Sequence, residues 1–135
     1  MTLTIFPLVI AFFGALVAPP ILLTGMVSIS NRDVKNHQFR MLSGYGALAI
    51  SLCFLWVYAL NTEQLYSGQW IEAFRLLAWL QIGIGFSSLV LASMTLWAVY
   101  EHAWELHRRT GMFAYLGGTV TSAATVLMLI MILIG

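Results

Sequence analysis

Residues 76–100 read LLAWLQIGIGFSSLVLASMTLWAVY, 25 positions without one charged side chain. A helix that crosses the hydrocarbon core of a bilayer needs about 20 mostly apolar residues. This stretch meets that length, and no apolar/polar alternation offers a strand instead. Three further stretches do the same: 4–29, 41–60 and 112–134. Helices satisfy their own backbone hydrogen bonds, as a medium without water requires. The sequence therefore predicts an all-α fold: one integral membrane domain over 1–135, an antiparallel up-and-down four-helix bundle.

Composition agrees. Only 8% of residues are charged and 61% are hydrophobic, against about 25% charged in soluble domains. A net charge of +1 leaves no basic face for nucleic acid. A single cysteine, Cys53, excludes an intramolecular disulfide and a cysteine-based metal cluster. The first stretch lacks a basic start and outruns a signal-peptide core, so it reads as a retained span. Pro19-Pro20 lacks two amide donors and predicts a kinked first helix.

The connections 30–40, 61–75 and 101–111 are too short for a soluble domain. Arg32, Lys35, Arg40, Arg108 and Arg109 fall in the first and third; the second holds Glu63, Glu72 and Arg75. Basic loops stay in the cytoplasm. The expectation is a multi-pass inner (plasma) membrane protein with loops 30–40 and 101–111 cytoplasmic and both termini on the other side. Tyr45, Tyr100, Trp104 and Tyr115 suit the inner interface, Tyr66 and Trp70 the outer. Glu72 and Arg75, three apart, predict an ion pair.

Small residues four apart mark helix contacts: Gly14 and Ala18, Gly83 and Ser87, Gly118 and Ser122, with Gly44 and Gly46 thinning the second helix. A repeat is also visible. His37 precedes Tyr45 by eight residues, and His107 precedes Tyr115 by eight. Two hairpins related by an axis along the membrane normal would give this pattern.

The candidate site residues are His37, His102, His107 and Gln81. The three histidines lie near one rim and could bind a metal or haem, but His102 and His107 are five apart, off the helical ligand spacing. Solvated loop histidines are the expectation. Gln81 is the one amide within a span; it could meet a lipid or quinone headgroup, and an interhelical hydrogen bond is expected. The spans hold no ionisable group, which argues against pumps, charged-filter channels and buried hydrolases. Their hydroxyls are expected to bond back to their own helices.

Several features together resemble a family of small four-helix bacterial membrane proteins (domain of unknown function 420). These are Phe6-Pro7 opening an apolar helix that ends at Gly25 and a basic loop, His37 with Met41, Arg75 opening helix three, and His107-Arg108-Arg109 before helix four. The resemblance implies the four-helix fold and, since some members are linked to haem-copper oxidase assembly, a connection with electron-transfer complexes. It transfers no site: family histidines in the second and third helices correspond here to Ala59 and Gln81.

Three functions follow as expectations. The first is a non-catalytic accessory or structural subunit of a larger membrane redox complex, respiratory or photosynthetic. It would not be an enzyme; its partners would be lipids and other integral membrane subunits, and any lipid, haem or pigment would be held through those partners. The second is an oxidase assembly factor handling copper or haem with His37, His102 and His107 plus Met26, Met41 or Met112. The third is a small transporter that needs oligomerisation.

Overall fold

The computed structural model describes residues 2–60 and 69–134, with side chains described except at 2–5, 8, 58 and 59. It holds four long helices and, among the described residues, no strand: α1 (Thr2–Ser30), α2 (Val34–Leu60), α3 (Ile71–Tyr100) and α4 (Trp104–Ile134). All four are long and apolar enough to cross a membrane. The chain is a multi-pass membrane protein whose apolar helices face lipid.

The helices outrun the spans read from hydropathy. They begin at 34, 71 and 104 rather than 41, 76 and 112, so the connections 30–40 and 101–111 shrink to residues 31–33 and 101–103. Hydropathy marks the thickness of the hydrocarbon; the backbone ladder continues past it into polar turns that carry Lys35, Arg40, Glu72 and Arg109. The first helix runs through Pro7, Pro19 and Pro20 without interruption. Most of the connection 61–75, including Tyr66, lies outside the described residues.

The helices pair as two tight hairpins, α1 with α2 and α3 with α4; lighter contacts of α1 with α4 and α2 with α3 close the ring. Leu22, Leu48, Leu55, Phe74 and Met128 are fully buried between them. Gly14 permits a close approach of the two backbones in the first hairpin. A Cβ there would lie 2.8 Å from the Ala47 carbonyl oxygen and 3.0 Å from Ser51 Cβ. Gly118 and Ser122 also face inward, whereas Gly83 and Ser87 face outward. The inward stripe of α3 runs Phe74, Ala78, Gln81, Gly85, Ser88, about half a turn away from that pair.

The repeat is structural, with an offset of 70 residues. Asn31, Arg32 and Asp33 donate to the carbonyls of Val27, Ile29 and Ser28 at 3.2, 3.0 and 2.9 Å. Glu101, His102 and Ala103 donate to those of Trp97, Val99 and Ala98 at 3.2, 3.2 and 2.9 Å. This is the 6→1, 5→2 pattern of a Schellman cap. Arg32 and His102 occupy its left-handed position at φ 60° and 56°. The next residue opens the following helix in both halves. Asp33 accepts the Asn36 backbone N–H at 3.1 Å and the Asn36 amide, and these bonds hold its carboxyl below the ordinary value. Ala103 offers no such cap.

A left-handed backbone costs a residue with Cβ about 1–2 kcal/mol that glycine escapes. Arg32→Gly and His102→Gly should each raise unfolding stability by about 1 kcal/mol. Thermal and denaturant unfolding in detergent, followed by circular dichroism, checks this; equal destabilisation by both would contradict the cap geometry.

Candidate functional site

The inward stripe of α2 runs His37, Gly44, Leu48, Ser51, Leu55, and that of α4 runs His107, Ala114, Gly118, Thr121, Thr125. Each therefore begins on a half-buried histidine in the first turns of its helix, and these two are not the solvated loop residues the sequence suggested. His37 Nδ1 bonds the Gly25 carbonyl at 2.8 Å, and His107 Nδ1 bonds the Thr95 carbonyl at 3.0 Å. Both reach twelve residues back, across the hairpin. A neutral imidazole that donates Nδ1–H to a carbonyl keeps its lone pair on Nε2. Neither Nε2 has a hydrogen-bond partner among the described residues.

The surroundings of the two brackets differ. At Gly25 a Cβ would lie 2.9 Å from Met41 Sδ and 3.3 Å from Arg40 Cβ, so the α2 side chains pack directly over the glycine. Arg40 adds a donor to the Thr24 carbonyl at 3.3 Å. Thr95 stands where Gly25 does, and its hydroxyl lies 2.7 Å from that of Thr110. His102 is exposed in its turn. Trp104 sits edge-on between it and His107, with centroids at 6.3 and 6.2 Å. Met26 and Met112 are exposed. The structure thus does not gather the three histidines, and among the described residues no group of three His, Cys, Asp or Glu could hold a metal ion.

Below the brackets the two hairpin seams differ in chemistry. Ala11, Ala18 and Gly25 recur at heptad spacing on α1; Gln81, Ser88 and Thr95 occupy the matching positions on α3. Gln81, only 1% exposed, donates through Nε2 to the Thr125 hydroxyl, the expected interhelical bond; its Oε1 and the Ser122 hydroxyl have no partner among the described residues. Ser88 donates across to the Ala114 carbonyl and Ser51 to the Ala11 carbonyl. Most other hydroxyls, such as Ser43, Ser87, Ser93 and Thr119, bond back to their own helices. Sequence reasoning missed the crossing by Ser51 and Ser88; the signal was a small residue opposite each, Gly14 and Gly117.

At the rims, Arg75 pairs with Glu72 at 3.3 Å as expected, and Glu105 holds Arg109 at 2.8 Å and Arg108 at 3.3 Å. All are partly or largely exposed and contribute little. Tyr100, Trp104 and Trp70 are exposed as interfacial residues should be, whereas the Tyr45 hydroxyl is enclosed and has no partner among the described residues. Cys53 is exposed on the outer face of α2, not packed inside the bundle.

Comparison with family models, curated proteins and solved structures returns no match.

Interhelical hydrogen bonds in membranes contribute about 0.6 kcal/mol on average and up to about 1.7. His37→Ala and His107→Ala should each lower stability by about that much, and His102→Asn should leave it unchanged. Unfolding in mixed micelles checks this; a larger loss for His102→Asn than for His37→Ala would reverse the assignment.

Proposed function

We propose that the chain is a non-catalytic accessory subunit of a larger membrane redox complex, respiratory or photosynthetic, whose work is helix packing. One observation carries the reading: nearly all its polar chemistry is spent inside its own bundle, while its outward faces are apolar and rich in aromatic rings. Trp56 and Trp79 meet edge-on at 6.3 Å on such a face, and Phe86, Leu96 and Trp97 are more than half exposed. Surfaces of this kind suit lipid and the spans of other subunits. The resemblance to the four-helix family linked to oxidase assembly adds support.

The five basic residues Arg32, Lys35, Arg40, Arg108 and Arg109 share the rim that carries the two short turns. By the positive-inside rule this rim faces the cytoplasm of the inner membrane, with both termini opposite.

A second reading, an assembly factor that handles copper or haem, is favoured by the histidine brackets. Metal-ligating histidines commonly donate their other ring N–H to a carbonyl, which fixes the ring and leaves one nitrogen to the metal. His37 and His107 have that arrangement, and Met41 places a soft sulfur beside Gly25.

Gentle detergent extraction, affinity capture and mass spectrometry, with an absorption spectrum of the eluate, separate the two. The accessory reading predicts co-purification of a redox complex in fixed proportion. An isolated, monodisperse protein with bound metal or its own Soret band would overturn it in favour of the second.

A further inference from the structure

At an offset of 70 residues the two halves share only two identical residues, His37/His107 and Tyr45/Tyr115. One backbone plan therefore carries two different surfaces, and at the rim with the short turns they differ in charge. Residues 31–40 hold three bases, Arg32, Lys35 and Arg40, and one acid, Asp33. The equivalent residues 101–110 hold two bases, Arg108 and Arg109, and two acids, Glu101 and Glu105.

The charges are also disposed differently. In the second hairpin Glu105 takes both bases, Arg109 at 2.8 Å and Arg108 at 3.3 Å. In the first, no ion pair joins Arg32, Lys35 or Arg40 to an acid among the described residues. Asp33 instead accepts the backbone N–H and the amide of Asn36. Arg40 turns toward α1 and donates to the Thr24 carbonyl at 3.3 Å, a neutral partner that leaves its charge uncompensated. Arg32 and Lys35 are exposed. Cations held at a membrane interface attract anionic headgroups, and a carboxylate beside them cancels that attraction.

Below Lys35 the lipid-facing side of α2 continues the same stripe. Phe39, Leu42, Gly46 and Ile50 follow at helical spacing, and all are exposed. Phe39 and Leu42 are more than two thirds exposed. At Gly46 the stripe is dented: nothing lies within 4 Å of where a side chain would begin. The equivalent stripe on α4 runs Glu105, Arg109, Met112, Leu116, Val120. It carries an acid where α2 has Lys35, a charge where α2 has Phe39, and leucine where α2 is dented.

We infer that the outward face of α2 holds an anionic phospholipid. Arg32 and Lys35 meet its phosphate at the rim, and its acyl chain lies along Phe39, Leu42 and Gly46. Charge complementarity selects the occupant: uncompensated cations stand directly above an apolar stripe, and a lipid phosphate carries the opposite charge above an acyl chain. The second hairpin holds no such lipid, because Glu105 neutralises the cations there. The site is independent of the accessory reading, since it concerns the chain alone.

The experiment is native mass spectrometry of the full chain released from neutral detergent. The lipids are phosphatidylglycerol and phosphatidylcholine with the same acyl chains, supplied at equal concentration. Wild type should retain one phosphatidylglycerol in preference to phosphatidylcholine. One cation near the surface is worth about fivefold in affinity for an anionic lipid. Lys35→Gln should therefore weaken retention about fivefold, and Lys35→Gln with Arg32→Gln should bring phosphatidylglycerol down toward the phosphatidylcholine level. Arg108→Gln should retain the lipid as wild type does. Glu105→Gln, which frees Arg108 and Arg109, should add a second phosphatidylglycerol. All these side chains are exposed, so thermal unfolding in lipid-free detergent should show folded proteins with near-identical midpoints. Equal retention of the two lipids by wild type, unchanged retention in the double variant, or no added lipid in Glu105→Gln would overturn the site.

Discussion

Hydrocarbon offers no hydrogen bonds, so every polar group of this chain within the bilayer must find its partner inside the bundle. Much of the structure follows from that constraint. Backbones close into four helices, and hydroxyls either return to their own turn, as Ser43 and Ser93 do, or cross to a neighbour, as Ser51 and Ser88 do. Crossing demands close backbones, and the small residues opposite, Gly14 and Gly117, permit them. Where partners are missing among the described residues, at the Tyr45 hydroxyl, Gln81 Oε1 and the Ser122 hydroxyl, the bundle departs from its own rule, and each such group calls for a specific explanation.

The same constraint explains why the two halves can share a backbone plan while sharing almost no sequence. A Schellman cap, a three-residue turn and a histidine bracket recur at a fixed offset. Between these points lipid-facing positions tolerate any apolar side chain. The inward heptad positions have diverged in kind: small and apolar on α1, polar on α3. Both hairpins combine close approach with crossing hydrogen bonds, at Gly14 and Ser51 in the first and at Gly117 and Ser88 in the second; the second adds side-chain pairs, Gln81 with Thr125 and Thr95 with Thr110.

Much of the fold was legible in the sequence because lipid imposes a length and a polarity that hydropathy reads directly. The four spans, the Glu72–Arg75 pair and the Gln81 interhelical bond followed from such local rules. Helix ends were not legible, since Val34–Arg40 and Trp104–Gly111 continue the ladder beyond the apolar stretch that marked the spans. The site was less legible still. His37 and His107 looked like loop residues because their partners are carbonyls of Gly25 and Thr95, and a backbone acceptor leaves no mark on composition or spacing. The eight-residue His–Tyr spacing in both halves was visible, but its meaning depended on three-dimensional equivalence. Gly83 and Ser87 show the reverse error: a small-residue spacing without a packing face.

The account rests on two hairpins set side by side in lipid with both short turns at one rim. Site-directed cysteine labelling tests it most directly, using Lys35→Cys, Arg108→Cys, Trp70→Cys and Ile50→Cys in a Cys53→Ser background with a membrane-impermeant maleimide. In sealed vesicles of known orientation, positions 35 and 108 should label from the same side and position 70 from the opposite side, while position 50 stays unlabelled until the membrane is dissolved. Labelling of 35 and 108 from opposite sides, or of 50 as readily as the rim positions, would contradict it.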